Sequence, residues 1–195
     1  MIQPIFVAFL IFLCIDVRII AGTNKGRHLK TPKWSGLRPT SDKLRETLFN
    51  IVAARVPDSR VLDVFAGSGA IGLEALSRGA SRATFIEQDR RAVDLIAENA
   101  TLCGVHDRCV IIRGAGERVL QRQIDGDPFD LVILDPPYAF AAFDEVIGAA
   151  GRHLAPGGLM ILEHAWRREV PVIGGLRAIR TVRSGDSALT LIEAQ

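Results

Sequence analysis

A chain of 195 residues, 48% hydrophobic and 24% charged, fits one soluble globular domain with a substantial core, and it has no internal repeat and no low-complexity tract. Three scattered cysteines, Cys14, Cys103 and Cys109, argue against a disulfide scaffold and a zinc site, so a reduced, cytoplasmic compartment is expected. The net charge is only +2, but residues 17–60 carry ten Lys/Arg against three Asp/Glu while residues 61–195 carry fourteen against eighteen, which points to a basic N-terminal face meeting a polyanion beside a more neutral core. The bland alternative is an ordinary solvated basic surface.

Residues 2–15 are almost wholly apolar. They lack the basic start and small-residue cleavage site of a secretory signal. They are also shorter than the roughly 20 residues that span a membrane. Residues 1–16 are therefore expected to be an accessory extension, and no membrane association is expected. Residues 17–21 form a short strand candidate, and residues 22–39 are basic and turn-rich. Thr40 or Ser41 would cap a helix through Ala54, whose apolar face is Leu44, Leu48, Ile51 and Val52. After Pro57, strands and helices alternate. Strands are expected over residues 60–65, 83–87, 109–113, 129–134 and 159–164. Helices are expected over residues 70–77, 91–102, 116–123 and 143–150. Residues 176–182 and 188–192 close the chain as an antiparallel pair, since their link is too short for a parallel crossover. The fold class is α/β, a mostly parallel seven-stranded open sheet with a C-terminal antiparallel hairpin and helices on both faces.

The first core strand ends in Asp63-Val64-Phe65-Ala66-Gly67-Ser68-Gly69. Open α/β sheets bind ligands at such strand ends. Gly67 and Gly69 let the backbone turn sharply and approach a ligand. No Gly-Lys-Ser/Thr follows, so a phosphate loop does not fit. The bare spacing Gly67-x-Gly69-x-x-Gly72 keeps a nicotinamide-binding reading open. Asp63 argues for another ligand: it would repel a pyrophosphate but pair with the α-amino group of S-adenosylmethionine. Glu87 ends the second strand, followed by Gln88, and is placed to accept both ribose hydroxyls. Asp89 either helps set that loop or caps the next helix. The adenine is expected beside Arg113-Gly114-Ala115-Gly116-Glu117, through the backbone N–H of Ala115 or through Glu117.

Asp135-Pro136-Pro137-Tyr138 follows the apolar strand ending at Leu134. The two prolines stiffen the turn and remove two backbone donors. What remains is an acceptor-rich edge, the Asp135 carboxylate and the Pro136 carbonyl, suited to both protons of a planar NH2 group. Tyr138 can stack on an extruded base. Methyl transfer relies on in-line positioning, and fixed acceptors stabilise the positive charge developing on the amine. A Pro-rich turn after a buried strand is the alternative without chemistry. The four histidines form no ligand-like cluster, so no metal is expected. Gly67-Ser68-Gly69 is not a nucleophile elbow, which argues against a serine hydrolase.

Further blocks stand at Arg18-Ile19-Ile20-Ala21-Gly22, Gly26-Arg27, Gly36-Leu37-Arg38-Pro39-Thr40, Arg45-Glu46-Thr47-Leu48-Phe49-Asn50 and Gly72-Leu73-Glu74-Ala75-Leu76-Ser77-Arg78-Gly79-Ala80. With the two strand-end motifs, over residues 17–193, the chain resembles the RsmD-type family of bacterial 16S ribosomal RNA methyltransferases. The resemblance implies a Rossmann-like methyltransferase fold. It also implies S-adenosylmethionine-dependent methylation of a guanine N2 amine in 16S ribosomal RNA, on an assembled or nearly assembled small subunit. By that resemblance Asp135 and Pro136 hold the guanine amine, with Pro137 beside the substrate, and Tyr138 packs on the ring. Asp63, Phe65, Ala66, Gly67, Ser68, Gly69, Glu87, Gln88 and Ala115 make up the cofactor site. Arg38, Thr40 and Arg45 lie near the substrate entrance.

Arg18, Lys25, Arg27 and Lys30 are expected to meet RNA phosphates, a role that the salt dependence of binding would separate from mere solubility. Arg38 and Arg45 could instead anchor the N-terminal segment. Residues 17–56 are read as a substrate-binding segment and residues 57–195 as the methyltransferase core. A monomer is expected. The rival readings are a DNA adenine-N6 methyltransferase, a methyltransferase of protein amides or small molecules, and a non-catalytic RNA-binding protein.

Overall fold

The computed structural model describes residues 17–32, 34, 42–124, 126, 128–138 and 140–195. The expected extension at residues 1–16, the cap at Thr40 or Ser41, and Arg38 lie outside them. In chain order the elements are β1 (Val17–Arg18), β2 (His28–Leu29), α1 (Asp42–Val52), β3 (Arg60–Val64), α2 (Ala70–Ser77), β4 (Arg82–Glu87), α3 (Arg90–Leu102), β5 (Cys109–Arg113), α4 (Gly116–Val119), β6 (Phe129–Leu134), α5 (Phe143–Gly151), β7 (Leu154–Ala165), β8 (Leu176–Ser184) and β9 (Ser187–Ala194). Seven strands form one sheet in the order β5-β4-β3-β6-β7-β9-β8. β3 to β7 run parallel, and β9 is antiparallel to both β7 and β8. From β3 the chain builds outward through β4 and β5, then returns to lay β6 on the other side of β3. The C-terminal ends of β3 and β6 are therefore a switch point of the sheet, where a crevice opens.

Alternate strand residues enter two separate cores. Val61, Phe85, Ile133 and Ile161 pack on one face with α1, α2 and α3. Leu62, Val64, Ile86, Leu134 and Leu162 pack on the other with α5. Burial on both faces explains why these strands read as continuous apolar runs. Against that pattern Asp63 is the exception, a carboxylate on the face of Val61 within a buried strand.

The N-terminal segment is stitched to this frame. Val17, Ile19 and Leu29 belong to the same core cluster as α1 and α2. Glu74, fully buried in α2, accepts the N–H groups of Ile20 and Ala21 at 2.6 and 2.9 Å and pairs with Arg78 at 2.6 Å. Gly22 has φ +83, and a Cβ there would fall 1.9 Å from the Ser77 carbonyl oxygen, so only glycine lets the chain pass. Asn99 of α3 accepts the Lys30 N–H through Oδ1, and its Nδ2 donates to the carbonyls of Lys30 and Ser68.

Three expectations shift. β7 starts at Leu154, not Leu159, because Phe129 pairs with Leu154 ahead of a register shift, and Pro156-Gly157-Gly158 is carried inside the strand. A Cβ on Gly158 would meet the Phe129 carbonyl oxygen at 2.9 Å, so those glycines permit close strand approach where they read as a break. The helix expected over residues 116–123 stops at Val119. The strand expected over residues 17–21 ends at Arg18, because the Ile20 and Ala21 N–H groups go to Glu74.

Candidate active site

A cavity of about 510 Å³, within the usual range for small-molecule sites, opens at the ends of β3 and β6. Asp63, Phe65, Ala66, Gly67, Ser68, Glu87 and Gln88 line one side, and Asp135, Pro136, Pro137 and Tyr138 the other. Residues from the two strand-end motifs thus share one chamber. Gly69 stands behind this wall as the N-cap of α2, with φ +77 and its N–H donating to the Ala66 carbonyl. Ala115 also stands back; its neighbours Gly114 and Gly116 form the wall.

The loop after β3 is conformationally expensive. Phe65 has φ 65 and Gly67 φ 56. A left-handed phenylalanine is strained, a condition that clusters at functional sites. The surroundings hold it: Phe65 packs edge-on against Phe140 with centroids 5.2 Å apart, and a Cβ on Gly116 would lie 3.0 Å from its ring. The Gly67 N–H donates to Glu87 Oε2 at 2.9 Å, and the Asp89 N–H donates to Oε1 at 2.8 Å. Both oxygens of Glu87 are thereby fixed while lone pairs remain for a ligand. The Asp89 side chain accepts the Arg91 N–H and caps α3, the second of its two expected roles.

Asp63 is 1% exposed, and its Oδ2 accepts the Gly72 N–H at 2.9 Å. Burial pushes its pKa up to about 7; the Gly72 hydrogen bond opposes this, and the nearby charges of Asp135 and Glu87 add to it. The folded protein thus holds a proton here that the unfolded chain gives up near 3.8, so this group's contribution to stability falls as pH rises from about 4 to 7. A cationic ligand group beside Asp63 would favour its ionised form. Affinity for such a ligand is expected to rise with pH, by up to about tenfold per unit, and to level off above about pH 7. Calorimetric titration with S-adenosylmethionine between about pH 5.5 and 7.5 checks this, and a flat profile would contradict it.

The segment after β6 is held from several sides. Tyr138, at the cavity mouth, shares a 2.6 Å hydrogen bond between its hydroxyl and Ser187 Oγ. Arg168 donates to the carbonyls of Tyr138 and Phe140 at 3.0 and 3.1 Å, and its guanidinium lies 3.6 Å from the Phe143 ring centroid. Ser187, Glu163, Trp34 and Arg91 also line the cavity, and sequence reasoning misses all four as site residues. Trp34 offers a signal, an aromatic among cations. Ser187 and Glu163 offer none, because only the pairing of distant strands brings them here. Trp34 lies under Arg91 at 4.8 Å, and its Nε1 is buried with no hydrogen-bond partner among the described residues.

The cationic candidates divide. Lys25 and Arg27 belong to a separate shallow hollow formed by residues 23–28, which shares no residue with the cavity. Arg18 is exposed on β1, and Lys30 forms an exposed 2.9 Å ion pair with Glu98. Arg38 and Thr40 lie outside the described residues. Arg45 must be reassigned from the substrate entrance: it is 0% exposed, its Nη2 donates to the Arg18 carbonyl at 2.9 Å, and it pairs with Asp42. It anchors the N-terminal segment. Among the described residues, no group of three or more His, Cys, Asp or Glu is arranged to hold a metal, and no helix is long and apolar enough to cross a membrane.

Residues 17–193 match the family described as Conserved hypothetical protein 95. The chain is 38% identical over 160 residues to ribosomal RNA small subunit methyltransferase D of Escherichia coli strain K12, covering 81% of this chain and 79% of that one. It is 38% identical over 151 residues to the protein of the same name in Haemophilus influenzae, covering 76% and 78%. The solved structure of a candidate methyltransferase from Escherichia coli matches with a TM-score of 0.82 at 32% identity, covering 92% of this chain and 98% of that one.

Proposed function

The chain belongs to the Conserved hypothetical protein 95 family, the RsmD-type methyltransferases of ribosomal RNA, and we propose that it methylates the N2 amine of a guanine in 16S ribosomal RNA within the small subunit, using S-adenosylmethionine. The observation that carries this reading is the meeting of Asp63, Glu87 and Asp135 in one cavity, close enough for the other two to raise the pKa of Asp63. A chamber so rich in carboxylates suits a cation. Its hydrogen-bonding groups fit the cofactor: Asp63 to accept from the α-ammonium group, Glu87 to accept from the ribose hydroxyls, and the Trp34 N–H, without a partner among the described residues, to donate to the carboxylate.

S-adenosylmethionine, when bound, supplies an electrophilic methyl group on a sulfonium. The chain supplies the geometry. The Asp135 carboxylate and the Pro136 carbonyl accept the two N–H bonds of the amine and turn its lone pair toward the cofactor. Asp135 also stabilises the positive charge developing on nitrogen. No strong base is needed, because the methylated ammonium is itself acidic. Tyr138, tethered through Ser187, offers a ring face to a base drawn out of its stack. Arg18, Lys25 and Arg27 hold RNA phosphates along the β1–β2 edge.

The test is transfer of labelled methyl to free 16S RNA and to small subunits, followed by mapping of the modified atom. Label on a guanine N2 is the expected result. Label confined to another base, or to DNA or protein, would overturn the assignment.

A further inference from the structure

We propose that Glu163 reads the target base, its carboxylate accepting the ring N1–H of guanine and thereby setting guanine apart from adenine and cytosine. This rests on the reading of the cavity as a guanine-N2 methyl-transfer site. Leu134 of β6 and Leu162 of β7 are partners in parallel register. Asp135, the first residue beyond β6, and Glu163 of β7 follow that pair directly, and both line the cavity. Leu134 and Leu162 enter the core under α5, so Asp135 and Glu163 belong to the opposite face. Asp63 and Glu87 belong to that face too, since they alternate with Leu62, Val64 and Ile86. Neighbouring strands β4, β3, β6 and β7 thus bring Glu87, Asp63, Asp135 and Glu163 to one face of the sheet, Asp63 two residues back from the level of the other three, and all four line the cavity.

The order across the sheet assigns the work. The cofactor takes the Glu87 and Asp63 end, and the amine meets Asp135. The rest of the base extends toward β7 and β9, where Tyr138 is tied to Ser187 and Ser187 pairs with Ala165. Glu163, 8% exposed, is the carboxylate at that end. Beside its N2 amine guanine carries a ring N1–H, a donor. Beside the adenine N6 amine and the cytosine N4 amine stands a bare ring nitrogen, an acceptor. A carboxylate matches the first and repels the other two. In a site this buried, water does little to offset a mismatch.

The test uses RNA in which the target guanine is replaced by 2-aminopurine, which keeps the amine on the same ring carbon but has no proton on N1. The wild-type protein is expected to favour guanine in kcat/KM by on the order of a hundredfold. Glu163→Gln, whose amide can either accept from guanine N1–H or donate to a bare ring nitrogen, is expected to bring the ratio to about one. Glu163→Asp should keep the guanine preference at a lower rate. Unchanged cofactor affinity and unfolding temperature separate these effects from loss of fold. A wild-type ratio within about twofold of unity overturns the proposal without any variant, and so does a wild-type ratio retained in Glu163→Gln. If the wild-type protein modifies a different atom altogether, the guanine-N2 assignment itself fails, a result distinguishable from either of these.

Discussion

Asp135→Ala is expected to lower kcat for methyl transfer by on the order of 10²–10³-fold while leaving S-adenosylmethionine affinity unchanged or slightly improved. The side chain lines the cavity beyond the end of β6, two strands away from Glu87 on β4, so its loss would remove the proposed acceptor for the amine and leave the proposed ribose end intact. Removing its charge also relieves Asp63, whose pKa it helps to raise, which is why affinity for a cationic cofactor should not collapse. Single-turnover transfer measured beside equilibrium cofactor binding separates the two effects. Near-normal turnover would end the catalytic assignment of Asp135.

Glu74→Ala is expected to destabilise the fold by about 3 kcal/mol, because it strips a buried carboxylate from three donors at once. Ile20 and Ala21 would lose the acceptor for their N–H groups, and Arg78, stacked 4.7 Å from the Phe49 ring centroid, would keep its charge without its partner. For a chain of this size the unfolding temperature should drop by roughly 10 °C. Amide exchange at Ile20 and Ala21 should accelerate well beyond that of β3, which keeps both of its neighbouring strands. If thermal unfolding and exchange both stay at wild-type values, Glu74 does not clamp the N-terminal segment.

Parallel strands β3, β4, β6 and β7 were legible because burial on both faces leaves a continuous apolar run, and the two strand-end motifs because acidic residues and prolines break those runs abruptly. Other features depend on partners distant in sequence. Pro156-Gly157-Gly158 reads as a break unless Phe129 is known to lie alongside. Ser187 joins the site only through the pairing of β7 with β9, and Glu163 only through that of β6 with β7. Arg45 shows the opposite case, a signal present but outweighed by charge. Arg45, Leu48, Phe49 and Val52 recur at the spacing of one helix face, and all four are buried. The guanidinium rides on that face because the Arg18 carbonyl and Asp42 receive it.

Asn99 holds Lys30 with both ends of its amide and also reaches the carbonyl of Ser68 in the loop beside the cofactor side of the cavity. One rigid side chain is therefore common property of the basic segment and the glycine loop. Asn99→Ala would therefore loosen both segments at once, although Asn99 itself does not line the cavity.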